Sequence, residues 1–255
     1  VQARKSDKEH SMKKKILIAL GIMAGIAILV AGFVVGPYLI EVRKMTPVAT
    51  GEVVPGVFAI RDDFVNLFLV KGKDGYVMID GGNTPATVEE GLRQLGIPKD
   101  RISAVFLTHS DSDHTAALAV LGDVPLYVGS EEERIIKGPQ YRMYFMRNSL
   151  PAGRRLLTGG ETVDSGGVIV QTFRTPGHTP GSFSYLVNGR WLFTGDTISL
   201  KEGKAGPFVE LFNMDTATEN ASIGKLAKLQ GVEAVFTGHH GFTKDFQGAF
   251  AAWRK

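Results

Sequence analysis

The sequence predicts an α+β protein, a four-layer αβ/βα sandwich, preceded by one N-terminal transmembrane helix. Three observations lead there. An apolar stretch without charge runs from Ile16 to Ile40. Beyond it, β-rich runs and helical stretches follow in the order strands, helix, strand, helix, and the order then repeats, which suggests two sheets packed face to face with helices outside. Five of the six histidines fall in or beside three turn motifs, each after an apolar β run, so they could converge on one edge of the sheets.

The apolar run of roughly 25 residues, at ~1.5 Å per residue, exceeds the ~30 Å hydrocarbon core of a bilayer. Lys13-Lys14-Lys15 precede it and only Arg43 and Lys44 follow closely, which puts the N-terminus in the cytoplasm and the rest outside. A cleaved signal sequence, and so secretion, is the rival reading. The run is longer than an ordinary signal core and has no Ala-x-Ala near its end, which favours an uncleaved anchor. Met12 before three lysines reads as a natural start, with residues 1–11 then a misassigned start or remnant, and these residues are left out of the fold reading. The expected division is a basic tail at 1–15, the membrane segment at 16–40, a linker at 41–50 containing Thr46-Pro47, and one domain over 51–255.

The formal charge of +3 originates in the tail, where six Lys/Arg face Asp7 and Glu9. Removing these from the chain's 29 basic and 26 acidic residues leaves 23 and 24, so no nucleic-acid partner is expected. With no cysteine, disulfides, thiolate nucleophiles and Cys-ligated zinc are excluded.

Val57 to Ile60, Phe64 to Val70 and Tyr76 to Ile79 are β-rich runs separated by polar, Gly-containing or acidic turns, as in antiparallel hairpins. Pro85 to Leu95 is a helix, with Thr84 as its N-cap and Pro85 at its first position. Ala104 to Leu107 is a buried strand, and a helix continues over Ala116 to Leu121. Leu126 to Val128 is a strand and Glu131 to Ile136 a short helix. Residues 137–155 mix Tyr141, Met143, Tyr144, Phe145 and Met146 with Arg142, Arg147, Arg154 and Arg155. This segment reads either as a lid carrying aromatic walls and an anion-binding arginine, or as a helix packing its aromatics. Strands return at Val168 to Phe173, Phe183 to Val187 and Trp191 to Phe193, the last two joined by the Asn188-Gly189 turn. A helix over Thr216 to Gln230, a strand over Ala234 to Phe236 and a helix over Asp245 to Trp253 complete the chain.

Thr108-His109-Ser110-Asp111-Ser112-Asp113-His114 packs two histidines and two aspartates into six positions directly after a strand. His178 lies in Thr175-Pro176-Gly177-His178-Thr179-Pro180-Gly181, Asp196 in Thr194-Gly195-Asp196-Thr197, and His239 and His240 in Thr237-Gly238-His239-His240-Gly241. Imidazole and carboxylate are ligands for zinc, iron and manganese, and flanking glycines let the backbone turn tightly around an ion. No G-x-S-x-G elbow or phosphate-cradling loop competes.

These motifs resemble the metallo-β-lactamase superfamily, whose signature is H-x-H-x-D-H followed by separate His, Asp and His positions. The resemblance covers approximately residues 51–255, including Ile79-Asp80-Gly81-Gly82. It implies two divalent ions, first of all Zn. One would be held by His109, Asp111 and His178, the other by Asp113, His114 and His239, with Asp196 bridging and Asp80 supporting. Asp111 stands where most members have histidine, and flavodiiron proteins carry a carboxylate there. Its extra negative charge would make bound water less acidic and favour Mn or Fe. If aspartate is too short to ligate, the first site is weak and one ion serves.

The reaction so implied is hydrolysis by a metal-bound hydroxide. Asp113 both ligates and could orient the hydroxide, and His240 is a candidate proton donor or a structural neighbour. The segments around His178 and Asp196 are similar to those of glyoxalase II-type thioesterases and lactonases, which points to a small-molecule ester, thioester or lactone outside the cytoplasm. The alternatives are β-lactam or phosphodiester cleavage, an iron-dependent redox enzyme of flavodiiron or dioxygenase type, and a tethered metal-binding protein without catalysis. Oligomeric state is not legible in the sequence.

Overall fold

The structure is a computed structural model and describes residues 2–142 and 147–254. Two compact units divide it, Val1–Lys44 and Met45–Lys255. The first is a helix, α1 (Gln2–Val42), whose segment Met12–Val42 is long and apolar enough to cross a membrane. A signal sequence would pass the same test. The helix therefore runs beyond the 16–40 segment at both ends.

In the second unit the chain forms β1 (Gly51–Val54), β2 (Val57–Asp62), β3 (Val65–Lys71), β4 (Tyr76–Ile79), α2 (Pro85–Leu95), β5 (Ile102–Phe106), α3 (Ser112–Thr115), β6 (Leu126–Gly129), α4 (Glu133–Ile136) and β7 (Arg155–Leu157). There follow β8 (Thr162–Ser165), β9 (Val168–Arg174), β10 (Phe183–Val187), β11 (Trp191–Phe193), β12 (Ser199–Lys201), β13 (Lys204–Gly206), α5 (Thr216–Leu226), β14 (Ala234–Phe236), β15 (Phe242–Thr243) and α6 (Phe246–Ala249). β1 to β7 form one sheet in sequence order, and β15-β14-β11-β10-β9-β8 form the other.

Strand alternation builds the layers. In β3, Phe68 and Val70 point into the core between the sheets, while Leu67 and Leu69 point to the outer core with Val88 and Leu92 of α2. In the second sheet Tyr185, Phe193 and Phe236 point inward, and Leu186, Leu192 and Val235 meet Ile223 and Leu226 of α5 and Phe246 of α6. Three apolar layers thus separate helix, sheet, sheet and helix, the expected four-layer sandwich.

Two helices end differently from the expectation. The expected helix over Ala116 to Leu121 is a separate 3-10 turn at Leu118–Leu121, and the His114 carbonyl accepts instead from Gly81 N–H at 2.6 Å. α5 ends at Leu226 because its last turn tightens, Leu229 N–H bonding to Leu226 O, while Arg254 Nε donates to Ala227 O. α2 spans its expected residues, but Thr84 makes no side-chain cap. The Asp62 carboxylate on β2 accepts from the Asn83 and Thr84 N–H groups instead. Of the expected lid or helix at 137–155, Met143, Tyr144, Phe145 and Met146 lie outside the described residues.

Candidate metal centre

Four strand ends deliver the site. β4 leads into Asp80, β5 into the 108–114 run, β11 into Asp196 and β14 into His239, with β4 parallel to β5 and β11 parallel to β14. Parallel neighbours release their loops at the same sheet edge. β9 adds His178 through the turn at Pro176-Gly177.

Each of the four clustered imidazoles is held by Nδ1. His109 Nδ1 lies 3.0 Å from Thr108 Oγ1, which in turn donates to the Asp80 carboxylate. His114 Nδ1 lies 2.9 Å from Asp80 Oδ2, His178 Nδ1 3.1 Å from Asn213 Oδ1, and His239 Nδ1 2.8 Å from Phe64 O. Bonding at Nδ1 leaves Nε2 as the lone pair facing the cluster, the tautomer a metal needs.

The Nε2 atoms and carboxylate oxygens form two groups. His109 Nε2 and His178 Nε2 lie 3.5 and 3.2 Å from Asp111 Oδ2, and 3.9 and 3.5 Å from Asp196 Oδ2. His239 Nε2 is 3.3 Å from Asp113 Oδ2, 3.2 Å from Asp196 Oδ2 and 3.4 Å from His114 Nε2. His114 Nε2 is 3.7 Å from Asp113 Oδ2 and 3.4 Å from Asp196 Oδ1. Ligands at ~2.0–2.2 Å around a tetrahedral ion stand about 3.3–3.6 Å apart, so both groups have ligand spacing. His109 Nε2 and Asp196 Oδ1 are buried and accept no hydrogen bond, which water or an ion must make good. These donors fit divalent ions, and Asp196 faces both groups.

The charges make the same demand. Burial disfavours ionised Asp196, yet His239 and His114 beside it hold its carboxyl well below the usual range. Burial likewise lowers His239, but Asp196 and Asp113 carry it up to about 10, and Asp196 and Asp80 raise His114 well above its ordinary value. The carboxylates call for positive charge at these nitrogens. His178 differs, because burial and the guanidinium of Arg142 both push it down.

Arg142, one of the four arginines in the expected lid or helix at 137–155, pairs with Asp111. Its Nε donates to Oδ1 and Oδ2 of Asp111 at 2.8 and 2.9 Å. Asn148 Nδ2 adds a bond to Oδ1 at 2.8 Å. Asp111 is thus both a member of the first group and paired with an arginine, a partner that counting carboxylates against ions leaves out.

His240 stands apart from both groups. It is half-buried and edge-on to Phe208, whose ring also lies 5.3 Å from His178 and His239. Sequence reasoning missed Phe208, Asn213 and Glu132. Glu132 is fully buried, with Oε2 accepting from Ser110 N–H and hydroxyl and Oε1 from Thr179 Oγ1 and Gly181 N–H. It ties the loop of His109 and Asp111 to the loop of His178.

Two facing sheets with a histidine and carboxylate cluster at one edge define a sandwich protein with a candidate metal centre. The chain belongs to the metallo-beta-lactamase superfamily, whose family model matches residues 60–239. It is 28% identical over 182 residues to "Hydroxyacylglutathione hydrolase" of Shewanella loihica, covering 71% of this chain and 63% of that one. It is 31% identical over 131 residues to "Probable polyketide biosynthesis zinc-dependent hydrolase BaeB" of Bacillus velezensis, covering 50% and 52%. The chain therefore spans between half and two thirds of these relatives. The structure of MEM-A1, a subclass B3 metallo-beta-lactamase from a soil metagenome library, is similar in fold, with TM-score 0.61 and 20% identity over 76% of this chain and 80% of that one.

Proposed function

We propose that this chain is a metal-dependent hydrolase of an ester, thioester or lactone, held to a membrane by α1 with residues 51–255 on the extracytoplasmic side. One observation carries the reading: four imidazole Nε2 atoms and three aspartates gather at ligand spacing about Asp196. Divalent ions in such a set supply a nucleophile from water at neutral pH and polarise the oxygen under attack. Zn is the first choice, with Mn or Fe favoured if Asp111 ligates. His109, Asp111 and His178 would hold one ion and Asp113, His114 and His239 the other, with Asp196 facing both groups.

With ions bound, Asp113 would orient the attacking water by accepting its hydrogen. His240, outside both groups but next to His239 and edge-on to Phe208, would be the candidate proton donor to the leaving group. Phe208 packs on His178 and His239 and keeps bulk water from their rings. The name of the first relative, a hydrolase of hydroxyacylglutathione, which is a thioester, supports a thioester or a similar acyl substrate.

The test is a panel of ester, thioester, lactone, β-lactam and phosphodiester substrates on the full chain in detergent. Chelation should abolish one acyl hydrolysis, Zn, Mn or Fe should restore it, and His114→Ala or His239→Ala should remove it by at least about 100-fold. Hydrolysis that survives chelation and both substitutions overturns the reading. Protease added outside spheroplasts should digest the catalytic domain, and full protection would reverse the topology.

A further inference from the structure

The segment between α4 and β7 brings a cation into the cluster. Arg142 Nη2 lies 2.7 Å from Asp111 Oδ2 and 2.9 Å from His178 Nε2, while Nε spans both oxygens of Asp111. The side chain is 6% exposed. Asn148 Nδ2 completes the pairing on Asp111 Oδ1 and also donates to Ser110 Oγ at 2.9 Å. Asp111 is therefore engaged at both oxygens, and the lone pair of His178 faces a guanidinium nitrogen.

Arginine keeps its charge at every relevant pH, and its planar fork matches a carboxylate. An ion bound by Asp111 and His178 would have to sit within about 2.2 Å of both ligand atoms. Arg142 bonds the same two atoms, so ion and guanidinium compete for them and repel one another. The other set is different. Asp113, His114, His239 and Asp196 face each other as carboxylates and imidazoles at 3.2 to 3.7 Å.

We propose that Arg142 stands in for the second ion: one divalent ion binds tightly at Asp113, His114, His239 and Asp196, and Arg142 on Asp111 supplies the positive charge on the His109–His178 side. This rests on the metal-centre reading and makes it a one-ion centre in its resting form. His109 Nε2, which Arg142 does not engage, leaves that side a weak affinity for a second ion. Asp111 acts as the anchor of Arg142, a positioning residue.

The experiment is a Zn titration of the full, chelator-stripped chain in detergent, in competition with a chromophoric chelator. The wild-type chain should bind one equivalent tightly and a second roughly 100-fold more weakly. Arg142→Gln should narrow that gap to less than about 10-fold, and its first equivalent reports that the fold is intact. Asp111→Asn should still bind one tight equivalent with an unchanged Co(II) absorption spectrum. Two tight equivalents in the wild-type chain overturn the proposal, as does an Arg142→Gln chain with an unaltered gap or loss of the tight equivalent in Asp111→Asn. Failure to bind any ion instead sinks the metal-centre reading itself, and this inference with it.

Discussion

Asp80 Oδ2 lies 2.9 Å from His114 Nδ1, and the same carboxylate accepts the N–H and the hydroxyl of Thr108. Asp80 thereby sets the ring of His114 directly and, through Thr108, the ring of His109. It does so from a left-handed backbone, φ 63°, which Asp tolerates at a turn. Asp80→Ala should lower Zn affinity about 10- to 100-fold, read by competitive titration. Unchanged affinity would show that the ring is held by other means.

Glu132 joins two ligand loops with no charge partner in its hydrogen-bond set, which is two hydroxyls and two backbone N–H groups. Glu132→Ala leaves those donors buried and unpaired and should cost about 3 kcal/mol of unfolding free energy by denaturant titration. A loss below about 1 kcal/mol would mean that water replaces the carboxylate at no cost.

Gly195 precedes Asp196 at φ 51°, and a Cβ there would collide with the Thr108 side chain. Gly195→Ala should destabilise by about 2 kcal/mol and also weaken metal binding, since Thr108 relays Asp80 to His109. Wild-type stability with wild-type affinity would contradict that close approach.

Burial pushes the Glu219 carboxyl on α5 up to about 8, against its ordinary 4.5. Asn213 Nδ2 donates to its Oε2 at 2.5 Å and favours the ionised form, but burial prevails. Between these values the folded chain holds a proton that the unfolded chain has released. The contribution is full below about 4.5 and is lost as pH rises through about 8. Glu219→Gln should therefore lose less stability than wild type between pH 5 and 8, by denaturant midpoints across that range. Parallel curves would place the carboxylate in its ionised form throughout.

The seven clustered side chains were legible because His109 to His114, His178, Asp196 and His239 each follow an apolar strand within a short turn, so strand direction alone aims them at one edge. The alternation that sorts Phe68 from Leu67 was legible for the same reason. What escaped depends on distant partners. Asn213 meets His178 across 35 positions and Arg142 meets Asp111 across 31, and neither residue type signals such a pairing. The β12–β13 hairpin went unread because its strands are three residues each and partly charged, although Glu202 and Gly203 turn at φ 51° and 74°, as a tight hairpin requires. The helix after His114 broke because Gly81 N–H takes the His114 carbonyl, a contact that no local pattern encodes, while α5 ended early in a tightened last turn.

The central claim is that hydrolysis depends on an ion held by this cluster. The most direct measurement is the thioester hydrolysis rate of the stripped full chain as Zn is returned in known equivalents. The expected result is no turnover without ion, and a rate that rises in proportion to the first equivalent bound. Hydrolysis that persists in the stripped chain, or a fully loaded chain that cleaves no acyl substrate in the panel, would contradict it.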